Sequence, residues 1–179
     1  MMRINSGEYK YRSIEVPENA RPTTEKVREA VFSILIGKVE GALVLDLFAG
    51  SGSLGLEALS RGAKHCVFNE GDRKNYKILQ KNIKNCKAQE KSSTFNNDFR
   101  KSLTLANKEF DLIFVDPPYR AGYYGEVFEL VDGYGLLTRD GVIIVEHLDD
   151  NPLPDALSEF VKFKKKRYGT VAVDFYARP

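Results

Sequence analysis

The sequence predicts an α/β fold in which helices cover both faces of a mostly parallel β-sheet. Apolar runs without alternation occur at residues 43–45, 112–115 and 141–146, as is typical of strands buried on both faces. Helical patterns separate these runs, which favours parallel strands joined by crossover helices. A glycine-rich turn, G-S-G-S-L-G at 50–55, follows the first run directly. Such a turn is typical of a strand that leads into the N-terminus of a helix.

The N-terminal segment predicts a β-hairpin. Residues 3–16 mix β-branched and aromatic residues around Ser6 and Gly7, and Pro17 ends the pattern. We therefore expect a basic hairpin extension over residues 1–20 and a main domain over residues 21–179. The exposed side of the hairpin would carry cations beside rings, namely Arg3, Lys10, Arg12, Tyr9 and Tyr11. That side could contact RNA backbone and bases, or it could be a sheet edge protected by charge.

A helix is predicted over residues 24–37. Its apolar residues recur at one face, at positions 27, 30, 31, 34 and 35. Thr23 or Thr24 could cap this helix, and Arg21 just before it is placed to bind a carboxylate.

The remaining elements follow in order. We expect a short helix over 54–61, a strand over 65–69, a lysine-rich helix from about residue 73 capped by Asp72, a strand over 93–97 and a weak helix near 103–105. After the strand at 112–115, a mobile loop at 120–125 and a helix over 127–131 precede the strand at 141–146. Strands at 160–168 and 170–177 would turn at Gly169 and give the sheet one antiparallel edge strand.

Composition restricts the class of protein. The length of 179 residues, with 42% hydrophobic and 29% charged residues, predicts one compact domain. No apolar run approaches the ~20 residues that span a bilayer, and residues 1–10 lack the apolar centre of a signal peptide, so we expect a cytoplasmic protein without membrane association. The net charge of +2 does not by itself indicate nucleic acid, although cations cluster at 3–12, 73–91 and 162–167. Cys66 and Cys86 lack a C-x-x-C spacing and predict neither a metal nor a redox site.

The glycine turn predicts a cofactor that carries adenosine. Its G-x-G-x-x-G spacing is shared by dinucleotide sites, and Glu70 has the separation expected of an acid that binds ribose hydroxyls. An NAD-binding oxidoreductase would explain these glycines. It would leave unexplained a second motif, D-P-P-Y at 116–119, which ends another buried strand.

The D-P-P-Y motif suits methyl transfer to an exocyclic amine of a nucleobase. Such an amine is a poor nucleophile because its lone pair is delocalised into the ring. If the Asp116 carboxylate and the Pro117 carbonyl each accept one N–H, the lone pair localises and can attack a sulfonium methyl. Pro117 and Pro118 fix φ and remove competing donors, and Tyr119 offers a ring on which an extruded base can stack. His65 and His147 are not needed as bases, although His147 follows a strand at the expected rim of the site.

Three motifs together resemble the RsmD family, which methylates a guanine N2 of small-subunit ribosomal RNA: R-P-T-T-E-K-V-R-E-A-V-F at 21–32, D-L-F-A-G-S-G-S-L-G-L-E-A-L-S-R-G-A at 46–63, and D-P-P-Y. The resemblance implies a Rossmann-like class I methyltransferase with a seven-stranded sheet and S-adenosyl-L-methionine as cofactor. It implies that Asp46 and the backbone of the glycine turn hold the methionine portion, Glu70 the ribose, and Asp98 and Phe99 the adenine. Arg21 and Thr23 would reach the cofactor carboxylate. The full expected cofactor set is Arg21, Thr23, Asp46, Phe48, Ala49, Gly50, Ser51, Gly52, Glu70, Asp98 and Phe99.

The expected partner is small-subunit ribosomal RNA. Because the basic surface is small, we expect the substrate to be an assembled or assembling 30S particle. We also expect a monomer that binds no metal. An adenine-N6 methyltransferase acting on DNA or RNA is the alternative, since adenine also offers an amine to D-P-P-Y. An RNA-binding module without catalysis is a further alternative, which the intact motifs oppose.

Overall fold

The computed structural model describes residues 1–179 and contains ten strands and five α-helices. In chain order they are β1 (Met2–Arg3), β2 (Ser13–Ile14), α1 (Glu25–Ile34), β3 (Leu43–Asp46), α2 (Ser53–Ser60), β4 (His65–Asn69), α3 (Arg73–Asn85), β5 (Ser92–Phe95), α4 (Phe99–Leu105), β6 (Phe110–Val115), α5 (Tyr124–Gly133), β7 (Leu137–Leu148), β8 (Ala156–Leu157), β9 (Phe160–Tyr168) and β10 (Val171–Ala177). A short 3₁₀ turn, Gln89–Lys91, precedes β5. No helix is long and apolar enough to cross a membrane.

The main sheet has eight strands in the order β5-β4-β3-β6-β7-β10-β9-β8. The first five are parallel, and β10 is antiparallel to both β7 and β9. The predicted α/β fold with a mostly parallel sheet is therefore confirmed. Two details differ from the prediction. First, β10 pairs with β7 and β9 lies outside β10, so the strand antiparallel to β7 is not at the edge of the sheet. Second, the two-residue strand β8 pairs with β9 and brings the sheet to eight strands.

Two hydrophobic clusters, one on each face of the sheet, explain why the central strands lack alternation. Val44 of β3 packs into one cluster and its neighbour Leu45 into the other. Along β6, Leu112 and Phe114 face the first cluster while Ile113 and Val115 face the second. Apolar residues of α1, α2 and α3 complete the first cluster, and those of α4 and α5 complete the second.

The N-terminal hairpin packs against the helical layer formed by α1, α2 and α3. Strands β1 and β2 pair antiparallel, and Ile4 and Ile14 are buried in the same cluster as the helices. One expectation was wrong: Tyr9 is only 3% exposed, because its backbone N–H binds Ser60 Oγ on α2 and its ring turns inward. Tyr11 is the exposed aromatic of the hairpin, with Lys10 Nζ 4.8 Å from its ring centroid.

Two helix starts follow the predicted capping residues. Thr24 Oγ1 accepts a 3.2 Å hydrogen bond from the Val27 N–H, and Asp72 Oδ1 accepts one of 2.9 Å from the Asn75 N–H. These caps fix the helix starts beside the carboxyl ends of the strands, where the site lies.

Candidate functional site

The carboxyl ends of the parallel strands open into one cavity of about 500 Å³. Every residue predicted for the site except Gly52 lines this cavity. Asp46 at the end of β3 and Asp116 after β6 therefore share one space, as expected of a ligand site in an open α/β sheet. Its volume lies within the range of small-molecule sites.

The glycine turn presents bare backbone to the cavity. Gly50 has φ +55°, and a side chain there would meet no atom within 4 Å, so its face is open to a ligand. Gly52 has φ +85° and caps α2, and its Cα packs on Leu79, where an added Cβ would lie 2.6 Å from Cδ1. Gly52 thus shapes the turn from behind, which explains why it does not line the cavity.

Two carboxylates hold the glycine turn in place. Asp46 Oδ2 accepts the Gly55 N–H at 3.0 Å, and burial raises the pKa of Asp46 to about 7. Glu70 Oε2 accepts the Gly50 N–H at 2.7 Å, and its Oε1 accepts the Asp72 N–H at 3.0 Å. Burial also raises the pKa of Glu70. Glu70 keeps free lone pairs at the cavity, where they can accept hydroxyl groups.

An aromatic wall lines the cavity on the face of the sheet that α4 and α5 cover. The rings of Phe48 and Phe99 are 5.3 Å apart, and Tyr123 lies 4.8 Å from Phe99 and nearly parallel to Phe48. Sequence reasoning missed Tyr123, although it lies in the predicted loop at 120–125. Asp98 lines the cavity and also caps α4, since its Oδ1 accepts the Arg100 N–H at 2.9 Å. Such a wall can hold a flat aromatic ring, with Asp98 as an acceptor at its edge.

The D-P-P-Y segment presents acceptors to the same cavity. Burial is the main cause that raises the pKa of Asp116 well above its usual range, and the charges of Glu146 and Asp46 add to it. The Pro118 carbonyl accepts the Ala121 N–H at 3.0 Å, whereas the Pro117 carbonyl accepts no hydrogen bond within the chain. The Pro117 carbonyl is therefore available to a ligand. The Asp116 carboxylate also lines the cavity, with the Thr23 hydroxyl as a neighbouring donor that partly offsets the rise of its pKa.

Glu146, near the end of β7, does not line the cavity but binds two residues that do, and sequence reasoning missed it. Its carboxylate is buried and accepts the Tyr119 hydroxyl at 2.6 Å and the Thr23 hydroxyl at 2.7 Å. Burial and the Glu146 charge raise the pKa of Tyr119. The position of Glu146 near the end of a buried strand, like that of Asp46 and Asp116, was the available indication. Arg21 lies over the Tyr119 ring, with its guanidinium carbon 5.8 Å from the centroid.

Neither histidine lines the cavity. His147 lies within the sheet, 1% exposed, with Nε2 2.8 Å from Asp174 Oδ2, so the expected place at the rim was wrong. His147 pairs with Ala172 of β10, and Asp174 lies two residues further along β10. The side chains of His147 and Asp174 therefore project from the same face of the sheet. His65 Nε2 lies 2.8 Å from Ser93 Oγ.

The whole chain is similar to bacterial methyltransferases. The family model described as "Conserved hypothetical protein 95" matches residues 2–177. "Putative rRNA methyltransferase YlbH" of Bacillus subtilis is 37% identical over 99% of both chains. "Ribosomal RNA small subunit methyltransferase D" of Escherichia coli K12 is 36% identical over 99% of this chain and 90% of its own. The solved structure of "Putative methyltransferase yhhF" from Escherichia coli superposes with a TM-score of 0.90 at 37% identity, covering 99% of this chain and 97% of that one.

Proposed function

The chain belongs to the RsmD family, and we propose that it transfers a methyl group from S-adenosyl-L-methionine to the exocyclic N2 amine of a guanine in small-subunit ribosomal RNA. One observation carries the proposal. The glycine turn after β3 and the D-P-P-Y segment after β6 open into the same cavity, so a cofactor on the first would face an amine on the second. The printed names of the relatives support ribosomal RNA as the substrate class.

The lining of the cavity fits the cofactor. Backbone at Gly50 and Ser51 is open to the methionine portion, Glu70 can accept the ribose hydroxyls, and the aromatic wall can hold adenine with Asp98 at its amine. When bound, S-adenosyl-L-methionine supplies a methyl group on a positively charged sulfur. Arg21 lines the same cavity beside the Tyr119 ring and is available to a carboxylate.

Asp116 and Pro117 would prepare the target amine. Asp116 Oδ and Pro117 O each accept one N–H, and the nitrogen lone pair is then directed at the methyl carbon. Holding the two reacting atoms about 3 to 3.5 Å apart supplies much of the rate acceleration. Because its burial raises the pKa of Asp116, this carboxylate can also take the proton that the methylated nitrogen loses.

Tyr119 would receive the extruded base on its ring. Base stacking on an aromatic side chain contributes about 1 to 3 kcal/mol. Glu146 fixes the direction of this ring because it binds the Tyr119 hydroxyl, and it links the ring to Thr23 on the segment before α1. The substrate base therefore meets a ring whose orientation is set before binding.

The test supplies labelled S-adenosyl-L-methionine in parallel with unmodified small ribosomal subunits, with the naked ribosomal RNA and with duplex DNA. We expect the label in N2-methylguanine, and more of it with assembled subunits than with naked RNA. Label in N6-methyladenine, or label only in DNA, would contradict the proposal.

The role of Asp116 can be tested in the same assay. We expect Asp116→Ala to lower the rate of transfer by at least about 100-fold, or about 3 kcal/mol, while cofactor affinity stays within a few fold. The matched control is Asp140→Ala, which removes an exposed acid near the amino end of β7, far from the cavity. Equal loss of transfer and of cofactor binding in Asp116→Ala would mean that the residue shapes the site and does not hold the amine.

A further inference from the structure

Helix α3 carries a stripe of lysines along its exposed face. Lys74, Lys77, Lys81 and Lys84 follow at spacings of three, four and three residues, which places them on one side of a helix. All four are exposed, while Leu79 and Ile83 on the other side are buried in the core. With a rise of about 1.5 Å per residue, the stripe extends over roughly 15 Å.

This stripe lacks the neutralising acids of an ordinary solvated helix face. Helix α3 contains no Asp or Glu, and Lys81 alone among the four pairs with a carboxylate, that of Glu15 at 2.5 Å. Like charges at these spacings destabilise a helix, so the stripe has a cost that an interaction would offset. On β9, by comparison, three of the five cations pair with carboxylates: Lys162 with Asp174, and both Lys165 and Arg167 with Asp149.

Helix α3, which carries the stripe, extends from the cavity to the N-terminal hairpin. At the start of α3, Asp72 and Asn75 line the cavity. Near its end, the Asn82 side chain accepts the Glu15 N–H at 2.8 Å and donates to the Glu15 carbonyl at 2.8 Å, so β2 and its following residues lie against the helix. Lys81 of the stripe also contacts Glu15, so a polyanion that follows the stripe would run from the start of α3, beside the cavity, towards the residues that follow β2.

We infer that the lysine face of α3 binds the phosphate backbone of the RNA that flanks the target base. This inference rests on the proposed function, because a flanking strand follows only if the target base belongs to RNA. Lys74, Lys77 and Lys84 supply unpaired charges for the phosphates.

The test compares two triple variants of equal charge. K74Q/K77Q/K84Q removes the unpaired cations of the stripe. K38Q/K64Q/K108Q removes three exposed lysines that precede β3, β4 and β6. These lysines lie at the amino ends of the parallel strands, whereas the cavity lies at the carboxyl ends. The readouts are the KM for small ribosomal subunits at several salt concentrations, the affinity for S-adenosyl-L-methionine without RNA, and thermal unfolding.

We expect the stripe variant to raise KM at least 10-fold at low salt, with cofactor affinity and unfolding unchanged. Each lost phosphate contact lowers the slope of log affinity against log salt by about 0.7 to 0.9, so the slope should fall by roughly 2 to 3. The control should stay within about twofold of the wild type. If the wild type methylates RNA and the stripe variant matches the control, the lysine face of α3 does not bind the RNA. If the wild type methylates no RNA, the proposed function fails and this inference fails with it.

Discussion

The buried ion pair between Arg28 and Glu57 tests how the N-terminal hairpin is held. Both side chains are 0% exposed, and Arg28 Nε lies 3.1 Å from Glu57 Oε1. Glu57 also accepts N–H groups of the hairpin backbone, at 2.8 Å from Asn5 and 3.3 Å from Ser6. Glu57→Gln keeps the size of the side chain and removes its charge. Arg28 would then be a buried cation without a counterion.

We expect Glu57→Gln to lower the free energy of unfolding by about 3 to 5 kcal/mol, as is typical when one partner of a buried pair is removed. Burial lowers the pKa of Arg28, but a guanidinium keeps its proton at neutral pH, so deprotonation does not relieve the loss. In a protein of this size, 1 kcal/mol corresponds to roughly 2 to 4 °C in melting temperature. The melting temperature should therefore fall by about 6 to 20 °C.

Urea unfolding followed by circular dichroism, together with calorimetry, measures the effect. Glu57 pairs with Arg61 as well as with Arg28, at 3.3 Å. The matched control is Glu29→Gln, because Glu29 also pairs with Arg61, at 2.9 Å, but its side chain is 56% exposed. That variant removes the same charge and should cost less than about 1 kcal/mol. Equal losses in Glu57→Gln and Glu29→Gln would refute the reasoning. A double variant, Arg28→Met with Glu57→Gln, should lose less than the sum of its single variants because no charge stays buried.

Two further predictions concern the cavity. Tyr119→Phe should slow methyl transfer about 10-fold, because Oε1 of the buried Glu146 carboxylate loses its donor and only Oε2 keeps one, the Thr23 hydroxyl. Tyr119→Ala should slow it at least 100-fold, because the ring is lost as well. Steady-state rates of both variants provide the measurement, and equal damage would count against stacking. The second concerns Asp46, whose folded pKa of about 7 exceeds the usual 3.8, so the folded state binds its proton more tightly than the unfolded state. Its contribution to stability should fall as pH rises from about 4 to about 7, by on the order of 4 kcal/mol, and Asp46→Asn should flatten the measured pH dependence of unfolding in that window. An unchanged slope in that variant would contradict the assignment.

Most of the fold follows from local patterns in the sequence. The strand at His65–Asn69 and the start of α3 at Arg73 match the predicted bounds, because apolar runs and the Asp72 cap act over a few residues. The position of β10 does not follow from such patterns. A returning hairpin can place either of its strands against the parallel sheet, and the choice depends on pairing along β7 over six residue pairs.

The site residues that sequence analysis did not predict likewise depend on contacts between segments that are distant in sequence. Asp46 and Asp116 could be predicted because each follows a buried strand within a recognisable motif. Glu146 has no motif around it, and its role depends on Thr23 and Tyr119, which are distant in sequence and meet only in the folded chain. Tyr9 likewise differs from the exposed Tyr11 only because the hairpin docks on Ser60.

The charge of the cavity distinguishes between the two classes of cofactor that the glycine turn allows. Its lining contains the acids Asp46, Glu70, Asp72, Asp98 and Asp116, with Arg21 as the cation among the lining residues. A dinucleotide would bring a doubly negative pyrophosphate against these carboxylates, and like charges at close range in a buried site are strongly unfavourable. A sulfonium brings the opposite charge to the place where burial has raised the pKa values of Asp46 and Asp116, and it favours their ionised forms. The same electrostatics weakens retention of the product, because the sulfur is neutral once the methyl group has left.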